Sequence, residues 1–174
     1  MQRLCGQQEP ATMRHIISIV LQNEAGALTR VSNLFSSRGY NIESLNVAPT
    51  DDAAVSRLTL VTTGSESVID QITKQLAKLI DVVDISDMTS EDHIERELVL
   101  CKIRSVDRSF FDKLSGMHAR VLDDRDDQYT VEFVGGSQEI DRLLAKLATM
   151  GSVLSVVRSG AMAVARGAPI LLHT

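Results

Sequence analysis

The sequence predicts an α+β protein made of two tandem ferredoxin-like βαββαβ domains. Runs rich in β-branched residues alternate with stretches whose apolar residues recur at helical spacing. The order strand, helix, strand, strand, helix, strand can be read twice, before and after a charged stretch at 89–97. A chain of 174 residues with 44% hydrophobic residues is long enough for two small cores. With 3% aromatics and no Trp, those cores must be aliphatic.

The elements follow in order. "RHIISIVLQ" (14–22) is almost continuously apolar, as a strand buried on both faces is. Leu28, Val31, Leu34 and Phe35 then share one helical face, and Gly39 is placed to cap that helix in the left-handed region. "NIESLNVAP" (41–49) reads as a strand with Leu45 and Val47 facing one way, and 49–52 as a turn. "VSRLTLVTT" (55–63) alternates as a strand. Ser67 with Asp70 resembles a capping box ahead of a helix carrying Ile69, Ile72, Leu76, Leu79 and Ile80. "VVDISDM" (82–88) closes the first unit.

The second unit opens with the strand "LVLCKIR" (98–104), followed by a short helix bearing Phe110, Phe111, Leu114 and Met117. "ARVLDD" and "YTVEFVG" form a hairpin across Arg125, Asp126 and Asp127. Ile140, Leu143, Leu144 and Leu147 mark a helix stopped at Gly151, and "VLSVV" (153–157) is the last strand. The expected domain plan is a disordered extension at 1–12, a first domain at 13–88, a linker at 89–96, and a second domain with its tail at 97–174. The two halves share topology rather than residue identity.

Composition excludes several classes. Eighteen Lys+Arg against 23 Asp+Glu give a net charge of −5, which disfavours binding to a nucleic-acid backbone. The RNA-recognition module has the same topology but stacks bases on aromatics of its central strands, and neither 14–22 nor 55–63 contains one. Cys5 and Cys101 suggest no disulfide framework. No run approaches the length of a membrane span, and 1–12 lacks the apolar core of a signal peptide, so a cytoplasmic protein is expected.

His15, His93, His118 and His173 lack metal-ligand spacing, and each reads as a surface residue. Asp123, Asp124, Asp126 and Asp127 could hold a hard cation but read better as a solvated turn. The tail 158–167 has glycines and arginines without phosphate-loop spacing, and no nucleophile–base pair is visible.

A free amino acid is a better fit. The start of the first helix supplies N–H donors for a carboxylate at Gly26, Ala27 and Leu28, where glycine leaves room for approach. Asn23 or Asn41 could accept from the ammonium, and Ile42, out of phase with Leu45 and Val47, could line an aliphatic side chain. Glycine and asparagine also punctuate plain turns. From these residues alone a turn and an effector site both stay open.

The stretch "IISIVLQNEAGALTRVSNLFSSRGYNIESLNVAPTDD" resembles the N-terminal ACT domain of the regulatory (small) subunit of acetolactate synthase, or acetohydroxyacid synthase. The likeness continues through "SRLTLVTTGSESVIDQITKQLAKLIDVVDISDM" and "ERELVLCKI" and resumes at "YTVEFVGG" and "VARG". The helix around 104–120 looks shorter than in that family, and Ser-Gln-Glu follows "FVGG" where a lysine is common.

The resemblance implies a non-catalytic subunit that activates a thiamine-diphosphate-dependent catalytic subunit and confers feedback inhibition by valine in branched-chain amino acid synthesis. It implies a homodimer through ACT domains, with the effector between the Asn-x-x-Gly turn of one chain and the Asn-Ile of the other. Those positions are Asn23, Gly26, Asn41 and Ile42, with Ala27 and Leu28 as backbone contacts. No cofactor is expected on this chain; thiamine diphosphate, Mg and FAD would sit on the catalytic subunit. The alternatives are an ACT-domain amino-acid sensor for a different enzyme, or a metal-responsive regulator using the second unit.

Overall fold

A computed structural model describes residues 12–105, 109, 112, 114 and 116–167. The first unit contains β1 (Met13–Gln22), α1 (Ala27–Ser36), β2 (Ile42–Pro49), β3 (Val55–Gly64), α2 (Glu66–Leu76) and β4 (Val82–Asp87). Its sheet has the order β2-β3-β1-β4, with every pair antiparallel. The two most apolar strands, β1 and β3, are therefore central, and β2 and β4 are its edges.

Ile17, Ile19 and Leu21 of β1 and Leu58 and Leu60 of β3 meet Val31 and Phe35 of α1 and Ile69, Ile72 and Leu76 of α2. Phe35 is the only aromatic among these buried residues, as the composition required. Helices of ten and eleven residues are marginal alone in water. Each such buried side chain stabilises the fold by about 1.5–3 kcal/mol relative to exposure, so this packing holds both helices in place.

Gly39 closes α1 as expected: its amide returns to Ser36 O at 3.1 Å and that of Tyr40 to Phe35 O at 3.1 Å. The ends of α2 differ from expectation. Ser65 occupies the N-cap in place of a Ser67–Asp70 box, and its hydroxyl lies 3.3 Å from that of Ser67. Leu76 ends the helix. The amides of Lys78 and Leu79 then bond back only three residues, to Gln75 and Leu76. That tighter turn swings Ile80 out of the helical stripe, leaving it 85% exposed.

The chain divides into two units between Glu91 and Asp92. The second contains β5 (His93–Arg104), β6 (Arg120–Arg125), β7 (Gln128–Gly135), α3 (Ser137–Met150), β8 (Ser152–Arg158) and β9 (Met162–Ala165). Its sheet has the order β6-β7-β5-β8, and β9 pairs with β5. The charged stretch read as a connector is a strand from His93 onward. His93, Ile94, Glu95 and Arg96 pair with Ala165, Val164, Ala163 and Met162. Its charge concealed a strand whose partner lies about seventy residues away in the tail, a non-local pairing that periodicity does not register.

Val99, Cys101, Ile103, Leu114, Val131, Ile140, Leu143 and Leu147 form the second core. Burial pushes the Cys101 thiol above its ordinary pKa, which makes it an inert packing group. Met117 packs against this core; Phe110 and Phe111, expected on the same helix, lie outside the described residues, as do Cys5 and His173. Of the acidic cluster, Asp123 and Asp124 lie on β6, and Asp126 and Asp127, at φ 53° and 58°, form the two-residue hairpin turn.

Gly151 stops α3 for a reason other than a left-handed cap. Its backbone is extended (φ −178°), but a Cβ there would lie 2.3 Å from the Arg104 carbonyl oxygen on β5. Gly151→Ala must push the end of α3 away from β5, and a loss of about 1–3 kcal/mol is expected from denaturant unfolding. An unchanged midpoint would mean that this close approach does not exist.

Candidate functional site

The turn from β1 into α1 is tied down at several points. Gln22 N–H donates to Asp81 O at 2.8 Å and Asn23 N–H to Ala54 O at 2.8 Å. Asn23 Nδ2 donates to Ala53 O at 3.0 Å, which leaves its side-chain oxygen for another donor. Gly26 follows at φ 92°, a left-handed conformation that costs an ordinary L-residue about 1–2 kcal/mol.

Gly26 is the N-cap of α1, and its carbonyl accepts the Arg30 N–H at 3.0 Å. No side chain caps this helix, and its first turn holds no acidic residue. The Ala27 amide is used by Glu24 O at 3.2 Å. The amides of Leu28 and Thr29 lie in the first turn, where the helix offers no acceptor. Ala27 is buried, while Leu28 stands 38% exposed at the helix start.

The other expected pair sits at the start of β2. Asn41 is exposed, and its carbonyl accepts Thr62 Oγ1 at 2.7 Å. Ile42 is half-buried. The expectation that it lies out of phase with Leu45 is corrected by an irregularity in register between Ile42 and Ser44. The irregularity returns Ile42 to the face of Leu45, and both pack against the core. Val47 is 43% exposed.

The structure does not bring the six residues together within one chain. β1 ends with Gln22 opposite Val55, and Asn23 bonds just beyond it. β2 begins with Ile42 opposite Thr62. Val55 and Thr62 are seven residues apart on β3, which at strand rise is about 23 Å. Asn23, Gly26, Ala27 and Leu28 therefore stand at one end of the sheet, and Asn41 and Ile42 at the other.

Two residues near Gly26 escaped the sequence reading. Arg30 makes a two-pronged ion pair with Asp81, through Nε to Oδ2 and through Nη2 to Oδ1 at 2.6 Å. The Asp81 side chain is only 4% exposed. Hydrogen bonding from Arg30 outweighs burial and holds the Asp81 carboxyl below the usual range; the same bond raises the Arg30 pKa. The spacing of Gly26 and Arg30 by one helical turn was available in the sequence, but nothing linked Asp81 to either.

His15, expected at the surface, is buried, with Nδ1 3.3 Å from Thr89 Oγ1 and 3.4 Å from Asp87 Oδ2. In the second unit Glu97 is buried against Arg158, which also reaches Asp141 at 2.8 Å. Among the described residues no group of three or more His, Cys, Asp or Glu could hold a metal ion, and no helix is long and apolar enough to cross a membrane.

Comparison with known proteins identifies the architecture. Residues 17–84 match the AHAS small subunit-like ACT domain, and residues 96–167 match the small subunit of acetolactate synthase. The two units thus define an ACT-domain protein with a second ferredoxin-like domain. The acetolactate synthase isozyme 3 small subunit of Salmonella typhimurium is 44% identical over 162 residues, covering 91% of this chain and 99% of that relative. The acetolactate synthase small subunit of Haemophilus influenzae is 42% identical over 158 residues, 89% of this chain and 97% of that one. The crystal structure of the acetolactate synthase small subunit from Thermotoga maritima superposes with a TM-score of 0.80 at 28% identity, covering 90% of this chain and 99% of that one. The chain belongs to the acetolactate synthase small-subunit family.

The Asp81 pair generates a prediction about acid. Because the folded-state pKa is lowered, the stability it contributes is complete above the ordinary carboxylate pKa of about 3.9 and is lost as the pH falls through the lowered value. Asp81→Asn should melt below wild type at about pH 7, and the difference should shrink below about pH 4. A difference that persists undiminished in acid would show that the Arg30–Asp81 charge pair is not its source.

Proposed function

We propose that this chain is the non-catalytic regulatory subunit of an acetolactate synthase, which activates the catalytic subunit and transmits inhibition by valine bound between two ACT domains. Family membership supports the regulatory role. The separation of the two half-sites along β3, about 23 Å at strand rise, supports a site shared between chains. A free amino acid, whose backbone reaches only about 3.6 Å, cannot touch both halves of one chain.

Two chains remove the difficulty. β2 is an edge strand of the sheet. Edge strands carry unpaired N–H and C=O groups, and two of them related by a two-fold axis pair antiparallel. The start of one β2 then lies near the end of the other. Pro49, at that end, is opposite Ser56, three residues from the Ala53 carbonyl that anchors Asn23. Asn41 and Ile42 of one protomer would thus approach the partner's Asn23 and Gly26, and the dimer would hold two equivalent sites.

Inhibition requires that valine bind one arrangement of the holoenzyme more tightly than another. A coupling of about 1–3 kcal/mol changes the balance about 5–150-fold. Thiamine diphosphate, magnesium and FAD belong in this scheme to the catalytic chain, in the cytoplasm.

Mixed dimers test the shared site. Asn23→Ala and Asn41→Ala homodimers should each lose tight valine binding, since every site loses a polar partner. A heterodimer of the two variants concentrates both lesions in one site and leaves the other intact. Calorimetry should then return about half the wild-type stoichiometry at near-normal affinity. If the site lay within one chain, both heterodimer sites would be damaged and no normal-affinity binding would return.

The activating role has its own test. The chain alone should form no acetolactate, and titrating it into a cognate catalytic subunit should raise the rate. A flat titration would contradict activation.

A further inference from the structure

The start of α1 is electrostatically unusual. Helix N-termini attract anions and are commonly flanked by Asp or Glu. Here the first turn has no acidic residue, the cap is a glycine without a side chain, and the nearest charged group is a cation. Arg30 Nη1 lies 3.2 Å from the point where a Gly26 Cβ would stand. That point is the space a ligand would enter through the missing side chain.

The guanidinium is also fixed in orientation. Asp81 takes Nε and Nη2, leaving Nη1 as the nitrogen it does not use. Asp81 is itself held in the connection between α2 and β4, and its backbone carbonyl accepts the Gln22 amide that leads into the turn. Glu24 adds a weaker field from the exposed side. A long, flexible side chain is thereby held with one donor edge toward Gly26, so little rotamer freedom is left to lose when a ligand arrives.

We propose that Arg30 binds the α-carboxylate of the effector through Nη1, beside the first-turn amides, and that Asp81 is the positioning residue that aims it. The assignment rests on the amino-acid site of the preceding section and supplies its charge selectivity. A planar guanidinium and backbone amides together suit a carboxylate, whose two oxygens accept several donors at once. An uncharged amide in the same place could neither pair with the cation nor accept at both positions. Arg30 should therefore discriminate between an amino acid and its amide.

The test crosses the ligand's carboxylate with the protein's cation. Valine and valinamide are titrated calorimetrically into the full-length dimer, wild type and Arg30→Gln. Because Arg30→Gln strands a buried Asp81 carboxylate, the double variant Arg30→Gln/Asp81→Asn, which removes both charges, is measured beside it, with dimer mass and melting temperature as checks on folding. Wild type should prefer valine over valinamide by about fiftyfold or more, a charge-pair effect of the size measured for buried ionic contacts. In the double variant the preference should fall to about threefold or less. A folded double variant that keeps the wild-type preference overturns the role of Arg30. Gly26→Asp separates that failure from failure of the site: if it abolishes valine binding while the double variant retains the preference, the site stands and Arg30 is not its cation. If wild type binds no valine, site and assignment fall together.

Discussion

Strand β3 lies between the two halves of the candidate effector site and sets their distance. Its first residues pair with the end of β1 and its last with the start of β2. Each half is anchored to it directly, Asn23 through Ala53 and Ala54 just before the strand and Asn41 through Thr62 near its end. Because β3 is central and points Leu58 and Leu60 into the core, sliding it by one residue would turn both side chains away from it. The separation is therefore as well fixed as the core itself. No rearrangement short of breaking the sheet could join the half-sites in one chain. A small ligand that needed both halves would have to recruit a second copy, as the proposed shared site requires.

The local chemistry at Gly26 follows from the same economy of parts. Its left-handed backbone turns the chain from strand to helix, and its missing side chain opens the helix start. The Arg30–Asp81 pair then braces the turn from inside the unit. A surface ion pair would add little; this one places a nearly buried carboxylate behind the guanidinium, which restrains the direction of its remaining edge. An effector held there with even a modest preference for one dimer arrangement can shift its population, since differential affinity, not tightness, moves such an equilibrium.

Much of this was legible in the sequence, and the exceptions have physical causes. The apolar runs of β1 and β3 and the Val31–Phe35 stripe announced a two-layer α+β unit because burial dictates periodicity. Gly26, Asn23 and Asn41 are visible as turn chemistry, and the family resemblance implies a common role for them. Their opposite placement along the sheet came only from strand register. Ile42 was misphased because a bulge breaks alternation without changing composition. The strand at His93–Arg96 was hidden by charge, and its partner β9 by distance in sequence. The burial of His15 leaves no local signal, because its partners, Asp87 and Thr89, lie on the far side of the domain in sequence. Asp81 carried no local signal, since its role depends on a helix fifty residues earlier.

The dependence of dimerisation on valine tests the shared site most directly. A ligand that binds only where two chains meet must strengthen their association by the free energy it gains in binding. With valine at about 100 times its dissociation constant, two sites at about 2.7 kcal/mol each should lower the dimer dissociation constant about ten-thousand-fold, measurable by sedimentation or by fluorescence on dilution. Equal dissociation with and without valine, together with full-affinity valine binding to monomers, would contradict a site shared between chains.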